Sequence, residues 1–194
     1  YMNSVTIASA AIQVADNYYL LPAANSIEKS SKIQPHHVDN LLTVASAEYD
    51  FVLLDVSPSL DSVGMRALDR SDLIYIVSQP ILNYLKALIN LLGVFTELNY
   101  ARQRIKVVMN KFDVDSGLSI DRVVDLIGRE VDIKVPYDVL AVDESINSGI
   151  PIVKTSKSSE VSVAIESLCE DLLGLEKAPK NESVLSKIFH LKVG

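Results

Sequence analysis

The chain has 194 residues, and 48% of them are hydrophobic, so it is long and apolar enough to bury a substantial core. Glycine and proline occur only 7 times each, which excludes collagen-like and low-complexity proteins. The balance of 18 Lys and Arg residues against 25 Asp and Glu residues gives a net charge of -7, which argues against a broad nucleic-acid-binding face.

The first part of the chain is predicted to contain helices and short strands in alternation. Residues 1–16 are predicted to be helical, and residues 18–21 to form an apolar strand that ends at Pro22. After Pro35, apolar residues recur every three or four positions, which indicates one buried face of a helix. Residues 49–54, YDFVLL, form an apolar run that predicts a strand buried on both faces, at the centre of a parallel sheet.

The alternation continues to residue 173. It comprises a helix over 63–68, a strand over 73–77, a helix over 82–95, a strand over 104–109, a helix over 121–127, a strand over 131–135, a helix around Ser145 and a last helix over 161–173. Gly128, Gly149 and Gly174 are predicted to end the helices that precede them. This order predicts an α/β fold with a mostly parallel sheet and helices on both faces.

Ligands of such sheets bind at the carboxyl ends of the strands, so the residues that follow each apolar run are the candidate site residues. These residues are Asp55, Ser78, Asn110 and Pro136. An acid in the position of Asp55 can hold a Mg²⁺-bound water near nucleotide phosphates, although any acid that ends a parallel strand fits this pattern. The amide of Asn110 can both donate to and accept from an adenine edge, but an ordinary turn would also explain it.

Taken in order, the segments resemble the MinD/ParA group of P-loop ATPases, and among them the CpaE/TadZ branch of pilus-assembly proteins. The resemblance covers residues 18–173. Four stretches carry it: YYLLPAANSIEKSSKIQPHHVDNLL, YDFVLLDVSPSLDSVGMRALDRSDLIYIVSQP, IKVVMNKFD and VPYDVLAVDESINSGIPIVKTSKSSEVSVAIESL.

This resemblance implies an ATP-dependent homodimer that switches the position or assembly of cellular structures, with pilus or secretion proteins as partners. It implies that Asp55 is the Walker B acid, which holds Mg²⁺ through water. It also implies that Asn110 reads the adenine and that Pro136 and Asp138 form the turn beside the base. A cytoplasmic protein, recruited to a membrane or to a cell pole, is expected.

The phosphate-binding motif of the family has no counterpart in this sequence, because no G-x-x-x-x-G-K-[ST] pattern occurs. We therefore expect this chain by itself not to hydrolyse ATP. Two explanations stay open. The P-loop strand would precede Tyr1 in the natural protein, or the chain is a degenerate member that keeps the fold as a non-enzymatic interaction module.

Four further features complete the predictions. Residues 1–174 are expected to form the ATPase-like domain, and residues 175–194 a tail with a short amphipathic helix. That helix, over 183–193, would bind either a membrane or a protein surface.

The lone thiol of Cys169 is predicted to be buried, and the His36–His37 pair is predicted to begin a helix rather than to bind metal. Acidic residues on the last helix argue against DNA binding.

Overall fold

The computed structural model describes residues 4–24, 26–58, 60–113 and 118–174. The chain divides into two compact units, the first ending at Asp72 and the second beginning at Leu73. The predicted tail, with its amphipathic helix over 183–193, lies outside the described residues. Within the described ranges, every helix is too short or too polar to cross a membrane.

The first unit is mainly helical and carries one small antiparallel hairpin. Its elements are α1 (Ser4–Ala10), β1 (Ile12–Ala15), β2 (Tyr18–Leu20), α2 (Ile27–Ser30), α3 (Pro35–Glu48) and α4 (Ser62–Arg70). The prediction of a helix through residue 16 is wrong beyond Ala10, because β1 pairs with β2 across a tight turn. Asn17 has a φ of 57° in that turn, a left-handed conformation that asparagine tolerates.

Helices α3 and α4 pack together through a charged contact between their side chains. The Nε atom of Arg66 lies 2.8 and 2.9 Å from the two carboxylate oxygens of Asp39. At the start of α4, the Asp61 side chain accepts a hydrogen bond from the Gly64 amide at 2.7 Å. At the start of α3, the Nδ1 of His37 accepts the backbone N–H of Gln34 at 3.0 Å, so this ring has a structural role.

The predicted central strand over residues 49–54 is not formed. The segment 51–57 has no regular secondary structure, and the side chain of Leu53 is 84% exposed. A strand exists only where another strand accepts and donates its backbone hydrogen bonds, and the described residues provide no such neighbour for this segment. The prediction therefore failed because pairing is not encoded in the apolar run itself.

The second unit contains the parallel sheet and its helices. Its elements are β3 (Ile74–Ser78), α5 (Leu82–Glu97), a short 3₁₀ turn (Arg102–Arg104), β4 (Ile105–Phe112), α6 (Ile120–Ile127), β5 (Ile133–Pro136), α7 (Val139–Ser148), α8 (Ile152–Thr155) and α9 (Glu160–Leu173). The three strands are parallel in the order β3-β4-β5. The predicted α/β class is confirmed, but the centre of this sheet is β4.

The core of the second unit lies where β4 meets its covering helices. Val107 and Met109 of β4 are fully buried, as are Val123 of α6 and, almost completely, Leu85 and Phe95 of α5. On α5, the buried residues Leu85, Leu88 and Phe95 lie on one helix face.

Cys169 on α9 was predicted to be buried, and the structure shows it only partly buried. The position is partly accessible to water, and the sulfur is partly desolvated. Burial raises the pKa of the Cys169 thiol, and the carboxylates of Glu166 and Glu170 raise it further. The neutral, weakly reactive thiol is therefore favoured.

Candidate functional site

The candidate site lies at the carboxyl edge of the parallel sheet in the second unit. Ser78, at the end of β3, pairs with Met109 of β4, which in turn pairs with Lys134 of β5. Asn110 follows Met109 in β4, and Pro136 lies two residues after Lys134 in β5. Both residues therefore lie at the carboxyl edge of the sheet, on adjacent strands. The structure therefore brings together two of the residues that the sequence singled out for a base pocket.

A bulge in β4 shapes the backbone at Asn110. Met109 pairs with Lys134 but Phe112 pairs with Pro136, so β4 contains an extra residue between these two pairs. Lys111 has a φ of 52°, a left-handed conformation that is uncommon for a lysine. The side-chain Oδ1 of Asn110 accepts the backbone N–H of Lys111 at 2.8 Å and so supports this local conformation.

The hydrogen bond to Lys111 uses only the acceptor of the Asn110 amide. Among the described residues, the Nδ2 group of Asn110 has no hydrogen-bond partner. A primary amide whose NH₂ is available can donate to a ring nitrogen of a base. The geometry of Asn110 is compatible with a hydrogen bond from its NH₂ group to a base. Its oxygen at the same time stabilises the backbone conformation at Lys111.

The segment that follows β5 forms one wall of this edge. The amide of Tyr137 donates to the carbonyl of Phe112 at 3.1 Å, which extends the contact between β4 and β5. The Tyr137 side chain is 53% exposed, so its ring offers an apolar face beside the carboxyl ends of these strands. Pro136 itself has a fixed φ, which makes this exit from β5 rigid.

Asp138 has a structural function that the sequence did not reveal. It is the N-cap of α7, and its Oδ1 accepts the backbone N–H of Ala141 at 3.1 Å. An aspartate followed by a helical segment is the signal that would have predicted this cap. The carboxylate is thereby held at the helix, which limits its freedom to contact a base.

We expect Asp138→Ala to lower the free energy of unfolding by about 1 kcal/mol, because one amide at the start of α7 loses its acceptor. Asp138→Asn should retain most of that stability, since an amide oxygen still caps the helix. Urea denaturation of both variants measures the difference. Equal stability of Asp138→Ala and the wild type would show that the cap contributes nothing.

Asp55 lies in the first unit, in the irregular segment that follows α3, and its side chain is exposed. Mg²⁺ retains several waters when it binds next to nucleotide phosphates, and one carboxylate can hold it through such a water. An exposed carboxylate fits that role. Within the described part of the chain, no three metal-binding side chains cluster.

Sequence reasoning missed Asp132, which organises the opposite end of β4. Its Oδ2 accepts the buried amide of Val107 at 2.8 Å, and its Oδ1 lies 3.2 Å from the Nζ of Lys106. Arg129 approaches the same carboxylate at 3.7 Å. An acid directly before a short strand gives too weak a sequence signal to identify such a position.

Comparison with known proteins finds one matching family model and a curated relative. A family model described as an AAA domain matches residues 2–109. The septum site-determining protein MinD of Bacillus subtilis (strain 168) is 25% identical over 185 residues, which cover 89% of this chain and 67% of MinD.

Two solved structures extend this comparison. The crystal structure of a ParA family ATPase from Chlorobium tepidum TLS is similar with a TM-score of 0.80 and 28% identity, over 86% of this chain and 70% of that chain. MinD from Pyrococcus horikoshii OT3, solved with Mg-ADP, has the same fold, with a TM-score of 0.72 and 21% identity over 96% of this chain and 72% of that chain.

Proposed function

Because this chain belongs to the AAA domain family and is of the MinD/ParA type, we propose that it is part of an ATP-dependent dimeric switch. The observation that supports this function most directly is the shared carboxyl edge of β4 and β5, where Asn110 and Pro136 lie on adjacent strands. Parallel α/β sheets bind their ligands at this edge.

In the proposed complex, Asn110 reads the adenine and Pro136 walls the base. The Oδ1 of Asn110 is held by the Lys111 amide at 2.8 Å, which orients the side chain before any ligand arrives. Such preorganisation lowers the entropy that binding would otherwise cost. Tyr137 supplies an exposed ring against which a purine can stack.

Asp55 is proposed to hold the water shell of Mg²⁺, and the bound ion neutralises phosphate charge. The 194-residue sequence has no glycine-rich phosphate loop, so the contacts to the phosphates are incomplete in this chain. We therefore expect weak nucleotide binding that depends mainly on the base. Charge-assisted contacts to phosphate are the strong ones, and most of them would be missing.

We place the switch in pilus assembly or polar localisation, in the cytoplasm and in contact with pilus or secretion proteins. The four sequence stretches that resemble the CpaE/TadZ branch support this finer assignment. They include the YYLLPA run of the first unit and the VPYD turn that follows β5. Pull-down of pilus-assembly proteins with the intact chain would test it.

Calorimetric titration with Mg-ADP tests the base-reading role of Asn110. Asn110→Asp keeps an oxygen for the Lys111 amide but removes the NH₂ group, so we expect about a tenfold loss of affinity for the adenine nucleotide. Asn90→Asp is the matched control, because Asn90 is exposed on α5 and the substitution adds the same charge. Equal affinities of the two variants would refute the assignment.

A second candidate function is a non-enzymatic interaction module, and the exposed apolar side chains of the second unit favour it. On α7, Leu140 is 81% and Ile146 is 70% exposed, and on α5, Leu82 is 58% exposed. Sedimentation velocity with and without Mg-ATP separates the two functions. Association only with nucleotide supports the switch, whereas association without it, or failure of the wild type to bind nucleotide, supports the module.

A further inference from the structure

The second unit contains a cavity at the edge of the sheet opposite to the proposed base pocket. Its volume is about 570 Å³, and it lies between the last turns of α5, the first residue of β4 and the end of α6. Ile105 begins β4 and Asn110 lies five residues later, so the two sites are on the order of 16 Å apart along the strand. The cavity is therefore a separate feature of the fold.

The lining of this cavity combines an apolar wall with polar side chains in about equal share, the polar ones being Thr96, Asn99, Tyr100 and two arginines. Ile105 and Ile127 line it and are themselves only 4% and 8% exposed, while Ile89 and Leu92 of α5 form a wall. Small-molecule sites combine apolar walls with a few polar groups, and this open depression offers both kinds of surface.

Two arginines line this cavity, and because Arg129 already lies 3.7 Å from the Asp132 carboxylate, Arg102 is the one that an anion can pair with. Arg102 is exposed, and among the residues that the structure describes its side chain makes one long hydrogen bond, of 3.5 Å from Nη2 to the carbonyl of Gly128. Arg129 is 12% exposed, donates to the carbonyl of Ile105 at 2.7 Å and has a buried Nε without a partner among the described residues. None of the described lining residues is acidic, in a chain whose net charge is -7.

Glycine keeps the cavity open on one side. Gly93 lies in the middle of α5, where glycine costs about 1 kcal/mol of helix stability relative to alanine. A Cβ atom at Gly93 would meet nothing within 4 Å, so the space above it is empty. A larger side chain at this position would project into that space without a backbone collision.

We propose that this cavity binds a small organic anion that has an apolar body and one carboxylate or phosphate group. The body packs against the wall formed by Ile89, Leu92, Ile105 and Ile127, while the guanidinium of Arg102 pairs with the anionic group at the rim. The carbonyl of Gly128 is a weak partner for Arg102 at 3.5 Å, so an anion can displace this contact at little cost. The site is independent of the nucleotide pocket proposed above.

Fluorescence titration of the full chain with 8-anilinonaphthalene-1-sulfonate tests the proposal. N-phenyl-1-naphthylamine, which has the same rings without the sulfonate, is the uncharged comparison. We expect Arg102→Gln to weaken binding of the sulfonate about five- to tenfold and to change binding of the uncharged probe less than about twofold. Gly93→Leu should weaken binding of both probes at this site, because the new side chain occupies part of the space beside the apolar wall.

Arg122→Gln is the matched control, since Arg122 is exposed on α6, does not line the cavity and carries the same charge. Competition by phenyl phosphate and phenylacetate distinguishes the two anionic groups, and benzylamine should not compete. The proposal is overturned if Arg102→Gln and Arg122→Gln bind the sulfonate equally. It is also overturned if the Gly93→Leu variant, shown to be folded by circular dichroism, binds both probes as the wild type does.

Discussion

Phe95→Ala is expected to lower the free energy of unfolding of the second unit by about 3–5 kcal/mol. Phe95 is only 1% exposed, and its ring packs against the ring of Tyr100 with centroids 5.0 Å apart. Truncation removes this buried surface and leaves a cavity between α5 and the sheet that close-packed neighbours cannot fill. Chemical denaturation, followed by circular dichroism, measures the loss.

Tyr84→Ala is the matched control for this substitution, because Tyr84 is an aromatic residue on the same helix with 51% of its surface exposed. Its replacement should cost less than about 1 kcal/mol, since little packing is lost. Phe95→Leu should lie between the two variants. Equal losses from Phe95→Ala and Tyr84→Ala would mean that α5 does not pack on the core as described.

Asp132→Ala is expected to lower the free energy of unfolding by about 2–4 kcal/mol, because several groups depend on its carboxylate. The Val107 amide, in a residue with no exposed surface, would lose its acceptor at 2.8 Å. Arg129, whose side chain is only 12% exposed, would lose the carboxylate at 3.7 Å. Unpaired buried donors are costly because water cannot replace the missing partner.

Asp132→Asn separates the contribution of the hydrogen bond from that of the ion pair. An amide oxygen can still accept from the Val107 amide, while the negative charge opposite Arg129 is removed. We expect this variant to lose roughly half of what Asp132→Ala loses. Asp125→Ala, at an exposed position of α6, controls for the removal of a negative charge from the same unit. A loss for Asp132→Ala no greater than that for Asp125→Ala would contradict the role assigned to this carboxylate.

Local signals predicted the helices of the second unit well. The apolar spacing of α5 predicted a buried face, and the structure buries Leu85, Leu88 and Phe95 on it. Gly128 and Gly149 follow α6 and α7 with a φ of 67°, as expected of residues that end a helix. Such features depend on a few neighbouring residues, so the sequence contains the whole signal.

The candidate site was predicted only in part. The parallel order of β4 and β5 brings Asn110 and Pro136 to one edge, as the alternation of elements implied. The bulge at Lys111 and the cap made by Asp138 depend on backbone conformations that a residue pattern does not specify. The place of Asp55 relative to this edge stays a prediction, because Asp55 belongs to the other unit.

Two apolar runs show that the sequence alone does not predict which run forms a strand. Residues 49–54 and β4 both predicted buried strands, but only β4 is one, with a paired strand on each side. By itself, the sequence determined the α/β class, through the alternation of elements, and the faces and glycine-capped ends of the helices of the second unit, since helix faces and caps arise from contacts within a few residues. The tertiary structure decided which run becomes a strand and where a cavity opens, because strand pairing and helix packing join residues far apart in the chain.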